Sequence, residues 1–355
     1  DKGHVIFAGE LSDLDPEFDT YTSIRFDIRR VDELGNITFY KSEEFNGLTY
    51  TNNSVSFNYS ISIDARLSSF NFQMFGVIGN VDKLLYEVDD LVSGDVYVIQ
   101  GQSNAESLVQ PEETESVIPY QSNFIRVFGS GTKRSDKFFE MSDNHRKWYY
   151  GRGDNTFAGG VGGIGQWGLI FARNLVDQDT IPVAIFNGAT GGKEIEYFQK
   201  NYDNSVLNNE DALNSYERLL WRLDQAKLTD KVKAVIWSQG EADASLKTST
   251  QEYISMFQAL LNDWNTDFAG LLSNFYIFQT KSSCGSANSM LVKEAQRRLA
   301  DGDVVKIIQT TGLNYVNDCH FSLNDGYEKF ASRIYAHISA DFYGGSDNES
   351  IYTPT

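Results

Sequence analysis

The fold of this chain is decided by residues 95–105, which read DVYVIQGQSNA. The first six residues are mostly β-branched or aromatic and lie between two glycines, a pattern typical of a short buried strand. The turn that leaves such a strand lies at the edge of the sheet where open α/β folds bind ligands. A serine there is either a nucleophile or the cap of the next helix, and this segment alone fits both roles for Ser103.

The residues from 91 onward alternate between strand and helix patterns. This alternation predicts a parallel sheet with helices on both faces, a three-layer α/β/α domain, and five strands are the count of a flavodoxin-like sheet. Residues 106–165 are rich in loops and are expected to cover the strand ends. Besides residues 95–100, strands are predicted at 182–186, 233–238, 274–280 and 304–310, and helices at 165–177, 211–227, 248–267, 287–300 and 324–342.

The first 90 residues predict an all-β domain, because short alternating segments are separated by turn residues. We therefore expect an N-terminal β-sandwich accessory domain over residues 1–90, the α/β domain over 91–345 and a flexible tail over 346–355. The six predicted N-terminal strands cover residues 4–11, 20–31, 36–45, 54–63, 69–78 and 83–88.

Composition excludes several classes of protein. The net charge of −19 argues against binding to nucleic acid or to anionic membrane surfaces, since both require basic patches. No stretch approaches the length of a transmembrane span. No loop has the ordered ligand spacing of a Ca²⁺ site, and neither a metal nor an organic cofactor is expected. The oligomeric state is not indicated.

The chain has two cysteines, Cys284 and Cys319, which are too few for a disulfide scaffold and lack the spacing of a metal site. A single disulfide in an oxidising compartment and two buried free thiols are both consistent with the sequence. The chain starts at Asp1 without a methionine, so we expect a processed protein that is secreted, periplasmic or on the cell surface.

A serine nucleophile needs a base, and the four histidines allow a choice by elimination. His4 lies at the end of the β domain, and His337 lies inside the last predicted helix. His320 follows the predicted strand 304–310, so it would lie at the same sheet edge as Ser103, and it is the preferred base. His145, in a charged loop, is the weaker alternative.

The base also needs an orienting group, and the developing oxyanion needs donors. Asp318 and Asn317 both precede His320 closely, and of the two only Asp318 can stabilise an imidazolium by charge. The loop of residues 187–194 offers backbone donors among its glycines. In the loop of residues 237–243, Gln239 could donate its amide, and Glu241 is either a structural residue or a support for His320.

Four blocks of this sequence resemble those of the SGNH hydrolase superfamily, in its sialate O-acetylesterase-like and carbohydrate acetylesterase branch. Their order and spacing fit together over residues 94–342, and the nucleophile and Gln-Gly-Glu blocks are the most specific. The blocks are residues 94–105, 191–195, 237–243 and 318–327.

The resemblance implies a role for each matched residue. Ser103 would be the nucleophile and His320 the base, while Gly192, Gln239 and the Ser103 backbone N–H would form the oxyanion hole. Gly191 and Gly192 are not distinguished by sequence. This chain departs from the family pattern in carrying Asn317 where the acid usually stands, so Asp318 is assigned as the acid, with Asn317 or Glu241 as alternatives.

The resemblance further implies a serine esterase that removes O-acetyl groups from a carbohydrate such as xylan or sialic acid, with the acetylated glycan as its partner. Two alternatives remain open at this stage. One is a carbohydrate-binding protein on an esterase scaffold without activity, which Asn317 favours. The other is an esterase for lipid or other small esters, although the polar residues 106–165 do not suggest an apolar lid.

Overall fold

The structure is a computed structural model of the chain. It describes residues 2–12, 20–129, 143–154, 161–203, 214–268, 274–281, 284, 288–302 and 304–346. The chain divides into two compact units, residues 1–94 with 180–182, and residues 95–179 with 183–355. The tail predicted at 346–355 lies outside the described residues except for its first residue.

The N-terminal unit contains two antiparallel sheets, with strand orders β1-β5-β4 and β3-β2-β6-β7. Phe7 of β1 packs on Phe26 of β2 and Phe72 of β6, with ring centroids 4.7 and 5.2 Å apart, so the two sheets share one core. The strands are β1 (Lys2–Leu11), β2 (Ser23–Asp32), β3 (Ile37–Asn46), β4 (Tyr50–Thr51), β5 (Ser54–Asp64), β6 (Ser68–Ile78) and β7 (Val81–Leu91).

The second unit is built on a seven-stranded sheet of order β10-β9-β11-β8-β12-β13-β14, in which only the pairing of β10 with β9 is antiparallel. The five strands predicted from sequence form its centre and one edge, in the order 2-1-3-4-5 of a flavodoxin-like sheet. The strands are β8 (Asp95–Gly101), β9 (Ile125–Phe128), β10 (Trp148–Tyr150), β11 (Val183–Asn187), β12 (Val232–Ser238), β13 (Phe275–Phe278) and β14 (Val305–Ile308).

Helices cover both faces of this sheet. Phe171 of α2 and Phe330 of α7 contact one face, through Tyr97 and Phe278 respectively. Helices α3, α5 and α6 pack on the opposite face around the buried Trp237. The helices are α1 (Ser103–Glu106), α2 (Gln166–Gln178), α3 (Ser215–Gln225), α4 (Glu241–Leu246), α5 (Thr250–Asp267), α6 (Ser289–Leu299) and α7 (Glu328–Phe342).

Several boundaries differ from the sequence expectation for local reasons. The last helix begins at Glu328 rather than residue 324, because Asp325 has a φ of 56° inside a π-type turn over Leu323–Tyr327. Helix α3 begins after the capping box of Asn214 and Glu217, and residues 211–213 of that predicted helix lie outside the described residues. The predicted first residue of α6, residue 287, does so too. No described helix is long and apolar enough to cross a membrane.

Parts of the region predicted as loop, residues 106–165, are regular. Strands β9 and β10 and short 3₁₀ turns at Ile118–Tyr120 and Asp143–Arg146 interrupt it, while residues 130–142 and 155–160 lie outside the described residues. The sequence did not predict β9 and β10, because strands of four and three residues contain too few alternations to form a pattern.

Gly101 provides a test of the backbone geometry at the end of β8. Its φ is +134°, and a Cβ there would lie 2.2 Å from the Ser238 carbonyl oxygen. We expect Gly101→Ala to lower the free energy of unfolding by about 3 kcal/mol or more, because strain and a backbone clash combine. Chemical denaturation measures this.

Gly302→Ala is the matched control, since no atom lies within 4 Å of its Cβ position. It should change the free energy of unfolding by no more than about 0.5 kcal/mol. Equal effects of the two substitutions would contradict the geometry described for Gly101.

Candidate active site

Ser103 lies at the turn between β8 and α1. The N–H of Gln102 donates to the Ser238 carbonyl at 2.9 Å, which ties this turn to the end of β12. The Gln102 side-chain oxygen accepts from the N–H groups of Gly240 and Ala242, at 3.3 and 3.2 Å. Ser103 itself is half-buried, and its hydroxyl has no hydrogen-bond partner among the described residues. The turn is therefore rigid while its hydroxyl is free to react.

Asn104 is a fully buried hub that joins three loops. Its amide nitrogen donates to Glu241 at 3.1 Å and to the Cys319 carbonyl at 2.9 Å. Its amide oxygen accepts from the Tyr327 hydroxyl at 3.1 Å. Because Ser103 precedes Asn104 and His320 follows Cys319, these bonds hold the serine turn and the histidine loop against each other.

His320 is oriented by Asn317. The Asn317 side-chain oxygen accepts from the backbone N–H groups of Cys319 and His320, at 2.9 and 2.8 Å, and lies 3.2 Å from His320 Nδ1. The two backbone donors fix the amide with its oxygen toward the ring, so Nδ1 carries the hydrogen. The lone pair of Nε2 is then available to accept a proton.

The assignment of Asp318 as the orienting acid is not supported by this geometry. The described contact to His320 Nδ1 comes from Asn317, and the Asp318 carbonyl accepts from Lys281 Nζ at 2.9 Å. The physical reason is loop geometry: a side chain three residues before the histidine can reach both the intervening N–H groups and the ring.

Lys281 and a disulfide restrain the same loop. Lys281 Nζ donates to the Asn317 carbonyl at 2.7 Å and lies 3.5 Å from the centroid of the Tyr315 ring. Cys284 and Cys319 form a disulfide, which resolves the choice between a bridge and free thiols. Burial, and then the charge of Lys281, lower the pKa of His320 below its usual value, so the imidazole is neutral at neutral pH.

The glycine loop that follows β11 contacts the nucleophile turn. The Thr190 N–H donates to the Gly101 carbonyl at 2.9 Å. A Cβ at Gly191 would lie 3.6 Å from Ser103 Cβ, and the Gly191 N–H donates to the Glu106 carboxyl. The Gly192 N–H has no partner among the described residues. The structure thus separates the two glycines, with Gly192 holding the available donor.

Gln239 is not an oxyanion donor in this geometry, contrary to the sequence expectation. Its side chain is 1% exposed, and its amide nitrogen donates to the Lys193 carbonyl at 3.1 Å and to the Asp243 carboxyl. Its amide oxygen accepts from the Tyr253 hydroxyl at 3.1 Å. Both amide hydrogens therefore point into the protein, and the residue supports the loop before α4.

Glu241 and the remaining histidines have structural positions. Glu241 is buried and bonds Asn104 rather than His320, and burial raises its pKa above the usual value. His145 lies in the 3₁₀ turn before β10, at the far edge of the sheet from β8. His4 contacts Ser60 in the N-terminal unit, and His337 lies in α7. Among the described residues, no cluster of His, Cys, Asp and Glu could hold a metal ion.

Two residues of this region were missed in the sequence analysis. Glu106 is half-buried beside Gly191, and Lys281 binds the histidine loop. The spacing of Glu106 was a usable signal, because residues three apart share one side of a helix. Lys281 had none, since its contact joins segments about forty residues apart.

The site thus brings together a serine turn, a histidine whose ring is held by a loop amide, and a backbone N–H without a partner among the described residues, all on loops of one α/β sheet. The family described as "carbohydrate esterase, sialic acid-specific acetylesterase" matches residues 93–338 of this chain. The chain belongs to that family of carbohydrate O-acetylesterases.

Curated relatives agree with this family. The chain is 25% identical to a sialate O-acetylesterase of Pongo abelii over 197 residues, which cover 51% of this chain and 37% of that protein. It is 26% identical to a probable carbohydrate esterase of Arabidopsis thaliana over 164 residues, 45% of this chain and 57% of that protein. The chain thus spans between 37% and 57% of the length of these relatives.

Solved structures share the fold. A carbohydrate acetylesterase from Xanthomonas citri superposes with a TM-score of 0.57 at 16% identity, over 97% of this chain and 72% of that one. An Arabidopsis thaliana protein superposes with a TM-score of 0.54 at 18% identity, over 70% of this chain and 99% of that one. At these identities the likeness concerns the fold alone.

The buried contacts of Gln239 predict that its removal lowers the stability of the fold and not only the rate of the reaction. We expect Gln239→Ala to lower the free energy of unfolding by about 2–4 kcal/mol, because Asp243 and Tyr253 lose a buried partner. Chemical denaturation measures this, with the exposed Gln251→Ala as control. Unchanged stability with a reduced kcat would instead return Gln239 to the oxyanion hole.

The contact between Asn317 and His320 predicts how the activity depends on pH. The lowered pKa of His320 keeps the base neutral, so activity should persist as the pH falls below the usual histidine range. We expect Asn317→Asp to raise the His320 pKa and shift the acid limb of kcat/KM upward by about one pH unit. Esterase pH profiles of both proteins measure this.

The same substitution should raise kcat on the alkaline plateau by about tenfold, because a carboxylate stabilises the imidazolium by charge. Asn317→Ala is the companion variant and should lower kcat, since Nδ1 loses its partner. An Asp variant with an unshifted profile and unchanged kcat would contradict the assigned contact.

Proposed function

We propose that this chain is a serine esterase that removes O-acetyl groups from carbohydrate through an acetyl-enzyme on Ser103. The observation that carries the proposal is the Asn104 hub, which holds the serine turn against the loop of His320. The family of carbohydrate O-acetylesterases to which the chain belongs supports the reaction class.

The reaction begins with attack of Ser103 Oγ on the acetyl carbonyl carbon. His320 Nε2 accepts the serine proton as the carbon–oxygen bond forms. The negative charge that develops on the carbonyl oxygen is stabilised by the backbone N–H groups of Ser103 and Gly192. Removing one such donor typically costs about 2.7–4 kcal/mol of transition-state stabilisation. The available Gly192 N–H can therefore contribute stabilisation of this size.

Collapse of this intermediate breaks the ester bond and leaves the acetyl group on Ser103. The sugar alkoxide takes the proton from His320 and departs as the alcohol. Water then attacks the acetyl carbonyl carbon while it gives a proton to His320. The bond between Ser103 Oγ and the acetyl carbon breaks, Ser103 Oγ takes the proton back from His320, and acetate leaves. Asn317 holds the histidine tautomer through both halves, but it adds no charge to the imidazolium.

Two other functions compete with this proposal. A carbohydrate-binding protein without activity was favoured by Asn317 at the acid position, yet this residue orients His320 in the way the reaction requires. An esterase for lipid or other small esters shares the mechanism and differs in substrate. We propose acetylated xylan or an acetylated sialic acid as the glycan substrate.

We further propose the wider organisation predicted from sequence. Residues 1–90 act as a β-sandwich accessory domain, 91–345 as an SGNH-type esterase domain and 346–355 as a flexible tail. The disulfide between Cys284 and Cys319 supports a secreted, periplasmic or cell-surface location, because disulfides persist in oxidising compartments. Activity measured in the presence and absence of a thiol reductant bears on this location.

Acetate release from 4-nitrophenyl acetate and from acetylated xylan tests the proposal. We expect release by the natural chain and its loss in Ser103→Ala, because no other hydroxyl occupies the turn. The control is Ser332→Ala, which changes an exposed residue of α7 and should retain full activity. Ser205 is not suitable as a control, because it lies outside the described residues. Release that persists in Ser103→Ala, with an unchanged thermal transition, would overturn the proposal.

A further inference from the structure

Glu106 places a carboxyl group at the nucleophile turn. It is the last residue of α1, three positions after Ser103, so the two side chains lie toward the same side of this single turn. The position of a Cβ at Gly191 is 2.7 Å from Glu106 Oε2 and 3.6 Å from Ser103 Cβ. The carboxyl and the nucleophile therefore both contact the oxyanion loop.

Other acidic groups act on the same site. The charge of Glu112 raises the pKa of His320, opposing the effects of burial and Lys281. Burial, and after it the charges of Glu113, Glu241 and Glu106, raise the pKa of Tyr327, the residue that donates to Asn104. Carboxyl groups thus act on this site beside the cationic Lys281, whose charge affects His320 more strongly than that of Glu112 does.

The lysines of the two flanking loops are already engaged. Lys281 Nζ donates to the carbonyls of Asn317 and Asp318. Lys193 is buried, with Nζ 4.7 Å from the centroid of the Tyr197 ring. Neither ammonium group forms an ion pair with Glu106, and neither lysine's charge contributes to the pKa shift of this carboxyl.

We propose that Glu106 is a specificity-determining residue that favours esters of neutral sugars over esters of sugar acids, which include sialic acids. The inference rests on the proposed esterase function and names its substrate class. A sugar carboxylate bound with its acetyl group at Ser103 lies within Coulomb range of Glu106, and like charges repel across such a partly buried site. A neutral glycan such as acetylated xylan carries no such charge.

The repulsion between Glu106 and a sugar carboxylate should increase as the pH rises. Burial raises the pKa of Glu106 to about 7, and the Gly191 N–H opposes that shift in part. Glu106 is therefore mostly neutral at pH 6 and mostly ionised at pH 8, whereas a sugar carboxylate is ionised at both. Discrimination against the anionic substrate should grow as the pH rises.

A matched pair of substrates isolates this effect. Methyl 3-O-acetyl-glucoside and methyl 3-O-acetyl-glucuronoside share the ring and ester and differ by one carboxylate. The ratio of their kcat/KM values cancels the titration of His320, because both reactions use the same base. We expect this neutral-to-anionic ratio to rise about fivefold from pH 6 to pH 8, and to rise less at high salt.

Glu106→Gln removes the charge but keeps an oxygen that can accept from Gly191. We expect its ratio to be independent of pH and lower than that of the natural chain at pH 8. Glu115→Gln removes an exposed charge from a neighbouring segment and should keep the natural pH dependence. Thermal transitions show whether both variants fold. The pH dependence of the substrate ratio is also measured on the unsubstituted chain, so that part of the test does not depend on the folding of a variant.

The outcomes separate this inference from the proposed function. Hydrolysis of both substrates with a ratio that does not change with pH, or with the same change in Glu106→Gln, would overturn the role of Glu106 alone. A preference for the glucuronoside at pH 8 would overturn it as well. Failure to hydrolyse either sugar or 4-nitrophenyl acetate would overturn the esterase function on which it rests.

Discussion

The site depends on the buried side chain of Asn104. Each of its polar atoms has a partner on a different segment, so three loops must take one arrangement for the hub to be satisfied. A buried amide left without partners is costly, which makes the arrangement cooperative rather than a sum of weak contacts. Trp167 extends the hub by donating its indole N–H to the Asn104 carbonyl at 2.7 Å. Helix α2 is thereby joined to the nucleophile turn.

The histidine loop is restrained from several directions at once. Asn317 binds it from within, Lys281 binds two of its carbonyls, and the disulfide attaches Cys319 to the segment after β13. Such a loop can hold an imidazole ring at a fixed angle without a carboxylate beside it. The chemical consequence is an imidazole whose tautomer is set by the Asn317 amide and whose charged form receives little stabilisation, which is consistent with the lowered pKa of His320.

The sequence predicted the five central strands of the parallel sheet and the residues at the sheet edge, because strong hydrophobic runs and unusual motifs indicate them. It did not separate Gly191 from Gly192, and it placed Gln239 among the donors and Asp318 beside the base. These differences between the sequence expectation and the observed contacts share a cause. Which way a buried amide points, or which of two adjacent loop residues faces a ring, is decided by partners far away in sequence, such as Asp243 for Gln239. The N-terminal strands were predicted to within a few residues, because alternation along a two-faced sheet is a local property.

We propose that the hub prepares Ser103 to accept an acetyl group, and rapid-quench mass spectrometry of the chain mixed with 4-nitrophenyl acetate tests this most directly. The account predicts an early burst of nitrophenolate and one acetyl group per chain, located after digestion on the peptide that contains Ser103. An acetyl group on another residue, or turnover without any acetylated peptide at the shortest times together with full activity of Ser103→Ala, would contradict it.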